Sequence, residues 1–502
     1  MSLKSILILI LSSSIVLSVG CSQSKKSDGL DLRDRIKKIT LDNGIKVLML
    51  KRDGAPVFST EIKLRVGNIE EQKGSYGLAH FFEHMAFKGT QTIGTTDYVQ
   101  EKKILDQIFE VGTKAVKLRM AGGDQQEIES LIKKRQELEK EQSKYVVKNE
   151  FTQIYQENGG INLNATTSND FTTYYVSLPV NKLEMWAYME SMRFKKPVMR
   201  DFFTEVDVVA EERRMRVDNS PVGKLYEAYV DLAFDKSPYK TMVIGPAKDI
   251  QNYTPDVAQK FYEDFYIPSR MIIAVVGNID YADTERIMRK HFSSIPAKPD
   301  NHKQFAGENF TPEFFPRENT ITGPEKPRFY FGYHRPAHPD PDDIVMDVIK
   351  DVLCDGRTSR LFKELVLEQK IASFAGCYTS IPGSRLDALF TFYALPLKGV
   401  PNKSLKKQIQ ILIDQLTVEG PTTRELQKVK NKIDADLIFS LQSNSGLASQ
   451  LAFYESLDGD WQYIYRLQDR IHQINADDVK RVMKKYFVKE REVTVYYEQE
   501  QS

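Results

Sequence analysis

The chain has 502 residues, 41% hydrophobic and 28% charged, which excludes a disordered or fibrous protein and, at this length, a single ordinary domain. Its 70 Lys and Arg against 69 Asp and Glu leave a formal charge of +1, so no basic field exists to hold nucleic acid. Three cysteines, Cys21, Cys354 and Cys377, are too few for a disulfide framework or a Cys-rich zinc module.

Lys4 precedes an apolar and serine run over residues 6–19, too short to span a bilayer comfortably and laid out as a secretory segment. The run ends Leu17-Ser18-Val19-Gly20-Cys21, and a polar stretch follows. This resembles a bacterial lipoprotein signal: residues 1–20 removed, Cys21 acylated, residues 21–35 a tether. Ser18 stands where the usual box has Leu, so cleavage by an ordinary signal peptidase is the alternative. The expectation is an exported protein of the bacterial cell envelope, at the periplasmic face or surface, held to the membrane by a lipid on Cys21. No other segment reads as a membrane span.

Alternation at Phe58, Thr60, Ile62, Leu64 and Val66 predicts a half-buried strand, and residues 271–277 a fully buried one. Between them stands Gly77-Leu78-Ala79-His80-Phe81-Phe82-Glu83-His84-Met85. On a helix, residues four apart share a side, so His80 and His84 can offer two imidazoles to one metal with Glu83 alongside. Two nitrogen ligands on one rigid turn suit zinc, and a carboxylate that does not itself ligate can take a proton from the water that zinc acidifies. With 7 histidines in 502 residues, a chance His-x-x-Glu-His is expected in well under about one in a hundred such chains.

Residues 101–150 are charge-rich, with Ile104, Leu105, Ile108, Ile128, Leu131 and Ile132 at helical spacing and a break at Gly122-Gly123-Asp124. They predict an inserted helical hairpin, read as a solvated decoration in preference to a partner-binding or gating arm. Two imidazoles leave zinc under-coordinated, and residues 204–214 read as a helix that can complete the site. Glu205 and Glu212, seven apart, return to within about 20° of one face, while Glu211 points about 100° away. That suits one ligand and one carboxylate that orients a histidine.

Residues 253–276 overlay on the segment from Ile474 at an offset of 221 without a gap, Phe265-Tyr266 falling on Tyr486-Phe487 and Arg270 on Arg491. A repeat of this length is domain-sized. The expected organisation is two homologous α+β domains, 36–295 and 327–502, with 296–326 as linker. His334 and His338 are also four apart, but Pro336 and Pro339 forbid a regular helix, so they read as loop residues that do not share a metal.

These blocks resemble the pitrilysin/insulinase family of inverted zinc metallopeptidases, nearest to half-size members related to the β subunit of the mitochondrial processing peptidase. The resemblance runs through Thr40-Leu41-Asp42-Asn43-Gly44, residues 77–90, Asn164-Ala165-Thr166 with Thr173-Tyr174-Tyr175, and residues 205–216. It implies that His80, His84 and Glu212 bind one zinc ion per chain, that Glu83 is the base, and that Glu205 supports the site. It implies further that Asn164, Ala165 and Thr166 lie on an edge strand to which an extended peptide adds, and that each domain is a mostly antiparallel sheet packed with helices, the two forming half a clam.

Two departures stand out. His84 and Glu212 lie further apart in sequence than is usual in the family, by about the length of the 101–150 insertion. Full-site members also carry an Arg and, seven residues later, a Tyr that hold substrate; the matching positions here are Val366 and Ser373, which cannot donate as those do. The expectation is therefore a zinc endopeptidase that takes peptides or unfolded polypeptides into an enclosed chamber. Its partner would be a related chain lacking the zinc motif and carrying the Arg/Tyr pair, or else a second copy. The rival is a non-catalytic binding or assembly subunit that keeps the peptidase fold.

Overall fold

The computed structural model describes residues 32–301, 310 and 313–500. The signal segment, Cys21 and the tether up to residue 31 lie outside the described residues. Among the described residues no helix is long and apolar enough to cross a membrane.

The first half contributes β1 (Ile36–Thr40), β2 (Lys46–Lys51), β3 (Val57–Leu64), β4 (Ile161–Thr167), β5 (Thr172–Pro179) and β6 (Met271–Gly277). They form one sheet in the order β1-β2-β6-β3-β5-β4, antiparallel except for β2 beside β6. The second half contributes β7 (Arg317–Gly323), β8 (Arg328–Arg335), β9 (Ala372–Ile381), β10 (Ala388–Pro396) and β11 (Glu492–Gln499), in the order β7-β11-β8-β10-β9 with β7 and β11 parallel. Apart from β1, the two orders match strand for strand, and β6 and β11 start 221 residues apart, the offset of the repeat.

β7 lies inside the stretch read as linker. Arg-Glu-Asn-Thr-Ile-Thr-Gly carries no apolar alternation because β7 is an edge strand exposed over most of its length. β3 is buried on both sides rather than one, because the sheet's second face is covered from an unexpected direction. Helix α5 (Pro221–Ala233) leaves the first half and packs Leu225, Tyr229 and Val230 against Tyr330, Val493 and Val495 of the second sheet. Its counterpart α6 (Asn444–Asp458) packs Leu447, Ala448 and Leu451 on Leu48, Ile272 and Ala274 of the first.

The exchange is symmetric in detail. Ser220 accepts from Gly223 N–H and Ser443 from Gly446 N–H, capping the two helices alike. Both glycines are demanded by close approach: a Cβ on Gly223 would lie 2.1 Å from Arg216 O, and one on Gly446 2.2 Å from Ser440 O. Burying Leu447 and Leu451 is worth roughly 1.5–3 kcal/mol each, so each half depends on the other for part of its core.

The insertion is a hairpin of α2 (Tyr98–Met120) and α3 (Gln125–Gln142), capped by Asp97 and Asp124. It is more than a solvated decoration. Ile104, Leu105 and Ile108 are buried, and Gly112 lets α2 approach the ring of Phe203, which a Cβ there would meet at 2.2 Å. Buried Glu101 takes Arg200 Nε at 2.6 Å. Phe203 belongs to α4 (Phe202–Arg213), so the hairpin buttresses the helix that carries Glu205 and Glu212.

His334 proves to be a buried residue of β8 rather than a loop residue, while His338 lies in the following loop, between Asp343 and Asp458. Proline governs only the second: β8 ends at Arg335, just before Pro336. Cys354 and Cys377 form one disulfide, joining β9 to the end of the helix Asp343–Leu353 across a Cα separation of 5.7 Å.

Candidate metal centre

Helix α1 (Leu78–Met85) starts at Gly77, whose φ of 95° favours glycine and whose Cβ would lie 2.5 Å from both Ile244 O and Tyr253 Oη. Leu78, Phe81, Phe82 and Met85 turn into the first core. Phe81 stands edge-on to Phe202 with centroids 5.0 Å apart, fixing α1 against α4. The remaining face of α1 presents His80, Glu83 and His84 to Glu205 and Glu212.

Glu212 Oε2 lies 3.7 Å from His80 Nε2 and 3.4 Å from His84 Nε2, and the three atoms are all within 4.8 Å of one another. Tetrahedral zinc with ligand bonds of about 2.0–2.2 Å has ligand-to-ligand edges of roughly 3.3–3.6 Å, so both edges to Glu212 are close to what the ion needs, and two imidazoles with a carboxylate are donors it takes. Arg216 Nη1 holds the other oxygen, Oε1, at 2.7 Å and leaves Oε2 to face the imidazoles. His84 Nδ1 donates to Glu205 Oε1 at 2.7 Å, which directs Nε2 at the site, and Lys88 Nζ braces Glu205 Oε2 at 2.7 Å. His80 Nδ1 has no such partner among the described residues.

Electrostatics separates the two imidazoles. Burial, aided by the neighbouring His84, pushes His80 down to about 4, so it is neutral and offers a lone pair. Burial opposes charge on His84 too, but hydrogen bonds to Glu205 and Glu212 prevail and hold it up at about 9. Burial would raise Glu205; the hydrogen bonds from His84 and Lys88 override it and hold it down at about 2. Contact with His84 chiefly lowers Glu212. Glu83 moves the other way, raised by burial despite the Thr167 hydroxyl and His84.

All five residues expected on α1 and α4 therefore converge. Asn164, Ala165 and Thr166 lie on β4, an edge strand of the sheet that among the described residues pairs only with β5, and it packs beside α1. Val366 packs on the second core and Ser373 Oγ donates to Leu395 O. Sequence reasoning missed Arg216, although it lies four residues beyond Glu212, a spacing that puts helix neighbours in reach, and Lys88, which lies past the end of α1 and reaches across to Glu205 where spacing gives no signal. It also missed Glu71, which reaches α1 from outside any periodic element: its carboxylate accepts from Gly77 N–H at 2.6 Å and Ala79 N–H at 2.7 Å.

Glu205→Gln should weaken zinc binding by roughly 10–100-fold, because the amide cannot brace His84 Nδ1 and Lys88 together as a carboxylate does. Competition with a chromogenic chelator measures this directly.

Two family models match the chain: the insulinase model (peptidase family M16) over residues 46–113, and the one described as the peptidase M16 inactive domain over residues 252–433. The zinc protease PqqE of Helicobacter pylori is 27% identical over 97% of each chain. The mitochondrial-processing peptidase subunit beta of Lentinula edodes is 22% identical, covering 89% of this chain and 86% of its own. A solved protease structure from Helicobacter pylori superposes with a TM-score of 0.77 at 26% identity, over 92% of this chain and 99% of that one. Models for both halves, full-length relatives and the shared two-sheet architecture agree: the chain belongs to the insulinase (M16) peptidase family, among its half-size members.

Proposed function

We propose that the chain is a zinc-dependent endopeptidase acting on peptides or unfolded polypeptides. The observation that carries this reading is the convergence of His80, His84 and Glu212 beside Glu83, a carboxylate on the same helix that stays outside the donor set. A zinc ion held by the three would supply Lewis acidity, acidifying a water and polarising a peptide carbonyl. Glu83 takes the proton at its carboxylate and returns it to the departing amine; its raised pKa makes it the stronger base. The free edge of β4 pairs with an extended substrate backbone beside Glu83, which favours flexible chains over folded ones.

The Cys354–Cys377 bond supports an exported chain, since such bonds persist in oxidising compartments. Anchoring through Cys21 at the cell envelope belongs to the same proposal. Val366 packs on the second half's core and the hydroxyl of exposed Ser373 is spent on Leu395 O, so the donors that hold substrate come from a partner: a related chain lacking the zinc motif, or a second copy. Those same two residues are what favours the second reading, a subunit that binds without cleaving.

The test is hydrolysis of an unstructured fluorogenic peptide by the chain with zinc, alone and mixed with a related chain. Cleavage abolished by chelation, restored by zinc and raised by the partner is expected. Peptide binding without cleavage in every mixture would support the second reading.

A further inference from the structure

The turn between β9 and β10, in the second half, reaches into the first beside the metal helix. Asp170, 4% exposed, lies in the turn from β4 to β5, and its Oδ2 accepts from Ser384 N–H at 2.6 Å and Arg385 N–H at 3.3 Å. Tyr239 donates to Asp170 Oδ1 at 2.6 Å and accepts from Arg385 N–H at 3.0 Å. The two joined turns occupy equivalent places in the two sheets.

The Arg385 guanidinium, with a side chain 6% exposed, goes further. Its Nη1 donates to Asp170 O at 2.9 Å and to Glu70 Oε1 at 3.1 Å. Glu70 is covalently next to Glu71, the carboxylate that caps α1. α1 has no capping side chain at its own N-cap, Gly77. Asn68 ties the group together, donating from Nδ2 to Glu71 at 2.8 Å and accepting at Oδ1 from Asn169 at 3.1 Å. One nitrogen from the second half thus bonds both to the segment that caps the metal helix and to the turn that ends the substrate strand.

We infer that Arg385 is a positioning residue of the active site, through which the second half sets the placement of α1 against β4. The inference rests on the peptidase reading for its kinetic consequence only. Substrate pairing on β4 brings a carbonyl to Glu83 only while the two elements keep their spacing, and displacements of an ångström at such a site are costly. Arg385 would therefore be felt in how well a bound peptide is placed, although it touches neither substrate nor metal.

The experiment is hydrogen–deuterium exchange on the zinc-free full chain, comparing wild type with Arg385→Met, followed by peptide kinetics on the zinc-loaded proteins. Arg270 Nη1 remains 3.5 Å from Glu70, so Arg385→Met does not strand that carboxylate. Exchange in peptides covering 77–85 and 161–172 is expected to quicken by at least about tenfold, while those covering β8 and β11 keep their protection. In the loaded protein kcat/KM should fall by a similar factor. Arg385→Lys, which keeps the charge by Glu70 but ends one bond short of the place where Nη1 meets Glu70 and Asp170 O, should show the same local pattern more weakly, and it decides the matter if Arg385→Met does not fold.

Unchanged exchange, or quickening spread evenly over both halves, would overturn the inference, the second result showing a merely structural ion pair. If wild type cleaves nothing, the peptidase reading falls and the exchange pattern still decides this one.

Discussion

Glu83→Gln should leave zinc bound and lower kcat by roughly two to four orders of magnitude, the usual worth of a positioned general base. The substitution removes a proton acceptor and little else. Glu83 lies outside the donor set, so metal content and thermal midpoint should stay at wild-type values while turnover collapses. The pH profile provides a second check. A base works deprotonated, and burial raises the Glu83 pKa above the ordinary carboxylate range, so kcat/KM should decline as pH falls through that raised value with zinc still bound. That acid limb should be missing from whatever activity Glu83→Gln retains. A variant that keeps wild-type turnover would remove Glu83 from the chemistry.

Zinc affinity should rise by about tenfold per pH unit between roughly pH 5 and 8, because one proton must leave for the ion to enter. His80, held at about 4, is already neutral in that window. His84, held at about 9 by the carboxylates around it, is protonated until the ion displaces its proton. The sign follows: the competing proton is bound below about 9, so raising the pH towards that value strengthens metal binding, and above it the slope flattens. Titration calorimetry in buffers of different ionisation enthalpy should return close to one proton released per zinc. Release of two protons, or of none, would mean that the imidazoles do not differ as their surroundings imply.

Much of this centre was legible in the sequence because its key elements are regular helices. The four-residue spacing of His80 and His84 and the seven-residue spacing of Glu205 and Glu212 translate directly into faces, and both pairs meet as helical geometry requires. The strands of the repeat were legible for a similar reason: β6 is apolar throughout because it is covered on both faces. What stayed hidden depends on contacts between distant segments. β7 has a polar sequence, and only its partner β11 makes it a strand. The exchange of α5 and α6 between halves leaves no periodic mark, since each helix shows the same apolar face whichever sheet receives it. Glu71 and Arg385 act from a short turn and a hairpin tip, where spacing carries no information about what the side chain will reach.

The metal content of the chain, purified without chelator and then exposed to micromolar zinc, tests the central claim most directly when set beside Glu212→Ala. One zinc ion per wild-type chain, and a variant that loses it during dialysis, is the predicted result. No ion in the wild-type chain after zinc exposure, or equal retention by the variant, would contradict it.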